Sequence, residues 1–147
     1  MKKEFVPYGI ALQLKELGFD EPCLGRYYYK ESYPMLNPQS EETELVFEFG
    51  QYAKQTEVTI LAPTFSQAFR WFREKYELRN SITDFIDDKT GIDWDYAIAI
   101  IGTDLDEKGN YKPLVDYSID DETRKFKTYE EAELACLDKL IELTKNK

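Results

Sequence analysis

The spacing of apolar positions predicts three helices. In "VPYGIALQLKELGF" (6–19), Ile10, Leu14 and Leu17 recur at i, i+4 and i+7, which lines one face of a helix. Pro7 suits the first turn, where its missing N–H has no intrahelical partner to lose. Gly18 suits the left-handed position past the end, and Pro22 prevents continuation. In "APTFSQAFRWFREKYELR" (62–79), Phe65, Ala68, Phe69, Phe72 and Tyr76 form one stripe, the pattern of a helix docked on a sheet. In "TYEEAELACLDKLIEL" (128–143), Ala132, Cys136, Leu140 and Leu143 form an inner stripe that Leu134, Leu137 and Ile141 widen. Thr128 and Glu131 have capping-box spacing, so each side chain is expected to satisfy the other's backbone N–H.

The segments between read as strands. "CLGRYYYKE" (23–31) is rich in Tyr, "ELVFEFG" (44–50) alternates, and "EVTILA" (57–62) is β-branched and ends at Pro63. "SYPMLNPQSEET" (32–43), with its two prolines and polar run, is a loop. Beyond the second helix, "NSITDFID" (80–87) reads as a short strand, "DKTG" as a turn, and "IDWDYAIAIIG" (92–102) as the strongest strand of the chain. A hairpin through "TDLDEKGN" leads into "YKPLVDYSID", and the short "RKFK" precedes the last helix. The order is α-β-β-β-α-β-β-β-α. It predicts an α+β fold with antiparallel sheet and three helices. The expected organisation is one compact domain over 1–147, with two intimate halves, 1–62 and 63–147, as the alternative.

Composition supports a packed core, because 15% of the 147 residues are aromatic. No apolar run approaches the roughly 18 residues of a membrane span. The "MKKEFVPYG" start has lysines but no apolar stretch after them, so it is no secretory signal. The expected compartment is the cytoplasm. The chain has no histidine, which excludes Ser-His-Asp and Cys-His catalysis. Cys23 and Cys136 are too few for a zinc site. Cys136 falls among helical apolar residues. Cys23 follows Asp-Glu-Pro, where carboxylates disfavour a thiolate. The stretch "DLDEKGN" begins like a calcium loop, but Lys108 takes a ligand position and Val115 stands where the bidentate Glu belongs. No Gly-rich phosphate loop and no G-x-S-x-G motif occur. No enzyme activity, metal site or cofactor is expected.

Charge changes the picture most. The net charge is −10, and residues 84–122 carry twelve Asp/Glu against three Lys/Arg, a net of −9. Strand alternation sets Trp94, Tyr96, Ile98 and Ile100 toward the helices. Asp93 and Asp95 are then expected on an open solvent face with Asp116 of the partner strand. Asp104, Asp106, Asp120 and Asp121 would stand at its ends. Such a face would meet a protein with a basic surface and, in the sharpest form, mimic phosphate. The alternative is a nucleic-acid accessory role for Arg70, Trp71 and Arg73 of the second helix, with Arg26 and Tyr28 of "RYYYK" stacking bases. The acidic stretch beside that helix would repel a phosphate backbone, so nucleic acid is disfavoured. The α-β-β-β-α order of the second half is shared with double-stranded-RNA-binding domains. Here, however, Glu130 and Glu131 open the last helix, where those domains place lysines.

Three blocks carry a resemblance: "FVPYGIALQLKELGFDEPC", "APTFSQAFRWFREKY" and "TYEEAELACLDKLIEL". They resemble a family of small uncharacterised proteins of Bacteroidales phages and integrated mobile elements. The resemblance covers about a third of the chain. It implies a phage or mobile-element setting and supplies no activity, ligand or site residue.

Overall fold

The computed structural model describes residues 2–29, 43–47, 59–89, 91–100, 107, 109, 113–115 and 125–146. Over these the chain is α+β, with three α-helices and two antiparallel sheets. The helices are α1 (Tyr8–Glu16), α2 (Phe65–Tyr76) and α3 (Tyr129–Lys145). The strands are β1 (Gly25–Tyr29), β2 (Thr43–Phe47), β3 (Thr59–Ala62), β4 (Leu78–Asp87), β5 (Gly91–Ile100) and β6 (Pro113–Val115). The sheets run β2-β1-β3 and β4-β5-β6. The chain divides into two compact units, Met1–Ser66 and Gln67–Lys147. Among the described residues no helix is long and apolar enough to cross a membrane.

In the first unit, α1 packs against β3 and buries Ile10, Ala11 and Leu14. Pro7 stands one position before the helix, as its N-cap, with an extended backbone. Its carbonyl accepts the first helical hydrogen bond, from the Ala11 N–H at 2.9 Å. The helix ends as expected at Gly18, whose φ is 84°. The Gly18 N–H donates to the Lys15 carbonyl and the Phe19 N–H to the Leu14 carbonyl, both at 2.9 Å. These are the two bonds of a Schellman ending. The Tyr27 hydroxyl donates to the Val6 carbonyl at 2.8 Å, which ties β1 to the segment before α1.

In the second unit the expected α2 stripe is inward. Ala68, Phe69 and Phe72 are buried, and Tyr76 is half-buried. β4 begins two residues after α2, with only Glu77 between, at a positive φ of 57°. The strand expected to be short therefore spans 10 residues. α3 packs against β4 and β5 and buries Ala132, Cys136, Leu137, Leu140 and Ile141. Leu134 and Leu143 are half-buried. Thr128 caps α3 by accepting the Glu131 N–H at 3.2 Å. The reciprocal bond is displaced by one residue: the Glu131 carboxylate accepts the N–H of Lys127, not of Thr128, at 3.0 Å.

Candidate functional site

β4 and β5 pair along their whole length, from Leu78↔Ile100 to Asp87↔Gly91. Side chains alternate along a strand, and registered partners share a face. One face therefore carries Leu78, Ile82 and Ile86 with Ile92, Trp94, Tyr96 and Ile98. The start of α3 lies on it, because the Trp94 and Tyr129 rings meet edge-on at 5.3 Å. Phe126 joins this face: its backbone bridges Trp94, and its ring stacks on Tyr96 at 6.1 Å. The inward direction expected for Trp94, Tyr96 and Ile98 is thus observed.

The opposite face overturns an expectation. Asp93 and Asp95 do not stand in solvent: they are 0% and 4% exposed, and Ala97 is buried with them. The physical reason lies in what the neighbours of β5 bring to this face. The strand has β4 on one side, and on the other β6 and the Phe126 bridge. The residues flanking Phe126 project to the aspartate face. There the Lys127 ammonium pairs with Asp93, and Lys125 Nζ lies 2.9 Å from Asp87 Oδ2. Asp95 Oδ1 accepts the backbone N–H of Tyr96 at 2.7 Å. A buried carboxylate needs such partners to offset its lost hydration. The signal was present in "KFK": two lysines spaced to share the face opposite Phe126, ahead of the last helix. Asp104, Asp106, Asp116, Asp120 and Asp121 lie outside the described residues.

The basic alternative is also altered. Arg70 and Arg73 are exposed, but Trp71 is buried, at 4% exposure. Its ring lies edge-on to Phe72 at 5.0 Å and to Tyr76 at 5.2 Å, with Lys75 Nζ 4.8 Å from its centroid. An indole packed in this way cannot stack a base, so Trp71 is withdrawn from the nucleic-acid reading. Arg26 is half-buried and belongs to the other unit. Tyr28 pairs through its backbone with Glu44 and Thr59, and its side chain lies outside the description.

The residues that sequence reasoning missed are apolar. Ile86 and Ile92 are cross-strand partners beside the turn, 82% and 62% exposed, and Tyr129 at the start of α3 is exposed too. Acids border them. Asp84 lies opposite Trp94, Asp88 is in the turn, and Glu130 follows Tyr129; all three are exposed. Partial desolvation raises the pKa of Tyr129, helped by Glu133 and Glu130. Burial also raises the Glu133 carboxyl; the neighbouring Tyr129 hydroxyl opposes this and Glu130 adds to it. Among the described residues no three His, Cys, Asp or Glu side chains gather as metal ligands. Both cysteines are buried, and the Cys23 thiol donates to the Glu21 carbonyl at 3.2 Å. No family model matches the sequence, and comparison with curated proteins and with solved structures finds no match.

Proposed function

We propose that this chain is a non-catalytic protein-binding module whose partner presents a basic surface, in the phage or mobile-element setting that its resemblance implies. The observation that carries this is a contrast in exposure. Asp84, Asp88 and Glu130 are exposed around one end of the second unit, while the aromatic of the basic alternative, Trp71, is packed away. Exposed carboxylates on a chain of net charge −10 steer a cationic partner and repel a phosphate backbone. The recognition residues move accordingly from Asp93 and Asp95, which are internally paired, to Asp84, Asp88 and Glu130. Their carboxylates imitate phosphate only in charge.

The test is affinity capture from a Bacteroidales lysate, with salt elution. A variant carrying Asp84→Asn, Asp88→Asn and Glu130→Gln should fold and lose the captured protein. A variant carrying Arg70→Gln and Arg73→Gln should keep it. Neither should shift mixed DNA or RNA on a gel at low salt. Retention of nucleic acid by the parent, lost with the arginines, would overturn the reading.

A further inference from the structure

The apolar face of the β4–β5 hairpin extends past the helix that covers it. Along β5 that face is closed at Ile98 and Tyr96, half-open at Trp94, and open at Ile92. α3 starts at Tyr129, against Trp94, so the strands run on beyond its first turn. Scattered exposed apolar residues are ordinary on protein surfaces. These are contiguous. Ile86 registers with Ile92, Ile92 lies two residues from Trp94 on the same face, and the Trp94 ring touches Tyr129. A continuous apolar surface rimmed by polar groups marks an interaction site.

The charges decide what fits there. Lys125 and Lys127 pair with Asp87 and Asp93 on the other face of the hairpin. The apolar face is bordered instead by Asp84, Glu130 and Glu133, with Asp88 and Lys89 both exposed in the turn at its end. A second copy of the chain would bring these carboxylates against their own kind around an apolar contact, which disfavours self-association. The geometry points to one occupant: a segment of a partner protein whose apolar side chains cover Ile86, Ile92, Trp94 and Tyr129 and whose flanking Lys or Arg meet Asp84 and Glu130. This rests on the protein-binding reading above and names its surface.

A fluorescein-labelled peptide of alternating Lys and Leu is the probe, with Lys/Ser and Gln/Leu peptides as controls. The Lys/Leu peptide should bind the parent most tightly. Ile86→Thr with Ile92→Thr keeps β-branched residues at both positions and should weaken binding by about tenfold or more. Asp84→Asn with Glu130→Gln should weaken it and flatten its salt dependence. Equal melting temperatures confirm that the variants fold. If the double Ile variant does not fold, Ile86→Thr alone is read in its place. Equal binding by the Ile variant, or a Lys/Ser peptide that binds as tightly as Lys/Leu, overturns the inference. In either case an acid variant that still fails leaves the charge-based reading standing. If neither basic peptide binds the parent, both readings fall. A parent dimer in sedimentation, dissolved by the Ile substitutions, would make a second copy the occupant and overturn the inference.

Discussion

Gly25 shows how one side chain can be set by neighbours far away in sequence. A Cβ there would lie 2.9 Å from Phe5 Cε1 and 3.1 Å from the Ala62 carbonyl oxygen. Gly25→Ala must push the Phe5 ring or the β1–β3 pairing aside. The expected cost is about 1–3 kcal/mol, seen as a lower urea midpoint at unchanged slope. An unmoved midpoint would mean that Phe5 swings clear without loss. Nothing in "CLGRYYY" marks that glycine as a point of close approach, because Phe5 and Ala62 arrive from elsewhere in the chain. Asp93 is the same kind of case. Alternation assigned it correctly to the face opposite Trp94, but could not tell that Lys127 would meet it there. Trp71 differs: its ring contacts with Phe72, Lys75 and Tyr76 are made within its own helix.

Helix ends were legible where the chemistry is local. Gly18 closes α1 because only neighbouring backbone groups take part in the ending. Thr128 caps α3 for the same reason, and only the partner of Glu131 moved by one residue. The junction of α2 and β4 gave no such signal. Glu77 holds a left-handed conformation with no glycine to ease it, because the helix before it and the paired strand after it are both held by packing. A β-carbon in that region costs roughly 1–2 kcal/mol, and glycine gives back part of this as chain entropy. Glu77→Gly is therefore expected to raise stability by about 1 kcal/mol in denaturant titration. A loss of stability would show that the Glu77 side chain makes contacts worth more than the strain.

At the scale of the molecule, burial leaves a signature in acid. Partial burial raises the Glu133 carboxyl above the ordinary carboxylate range, and partial desolvation raises that of Asp138, which stands on the exposed side of α3. The folded form then binds these protons more tightly than the unfolded chain does. Below the unfolded pKa values both states are protonated and no stability is lost. As pH rises, the unfolded chain ionises first, and stability falls until the folded groups ionise too. A variant with Glu133→Gln and Asp138→Asn should therefore gain melting temperature relative to the parent as pH rises above about 4. A gap that stays constant or narrows with rising pH would contradict the sign.

Helical stripes, strand alternation, helix-end chemistry and the concentration of acid in 84–122 could all be read from the chain alone, and so could the α+β class. Each depends on residues a few positions apart, where the periodicities of 3.6 and 2 are set by backbone geometry. Which strand is central, which face of it is closed, and where a covering helix begins depend on partners distant in sequence. Those contacts turned the expected acidic face of β5 inward to its lysine partner. They also left Ile86 and Ile92 in water, because α3 begins beside Trp94 and the hairpin runs on past it. Alternation belongs to a single strand, whereas burial belongs to whatever packs against it.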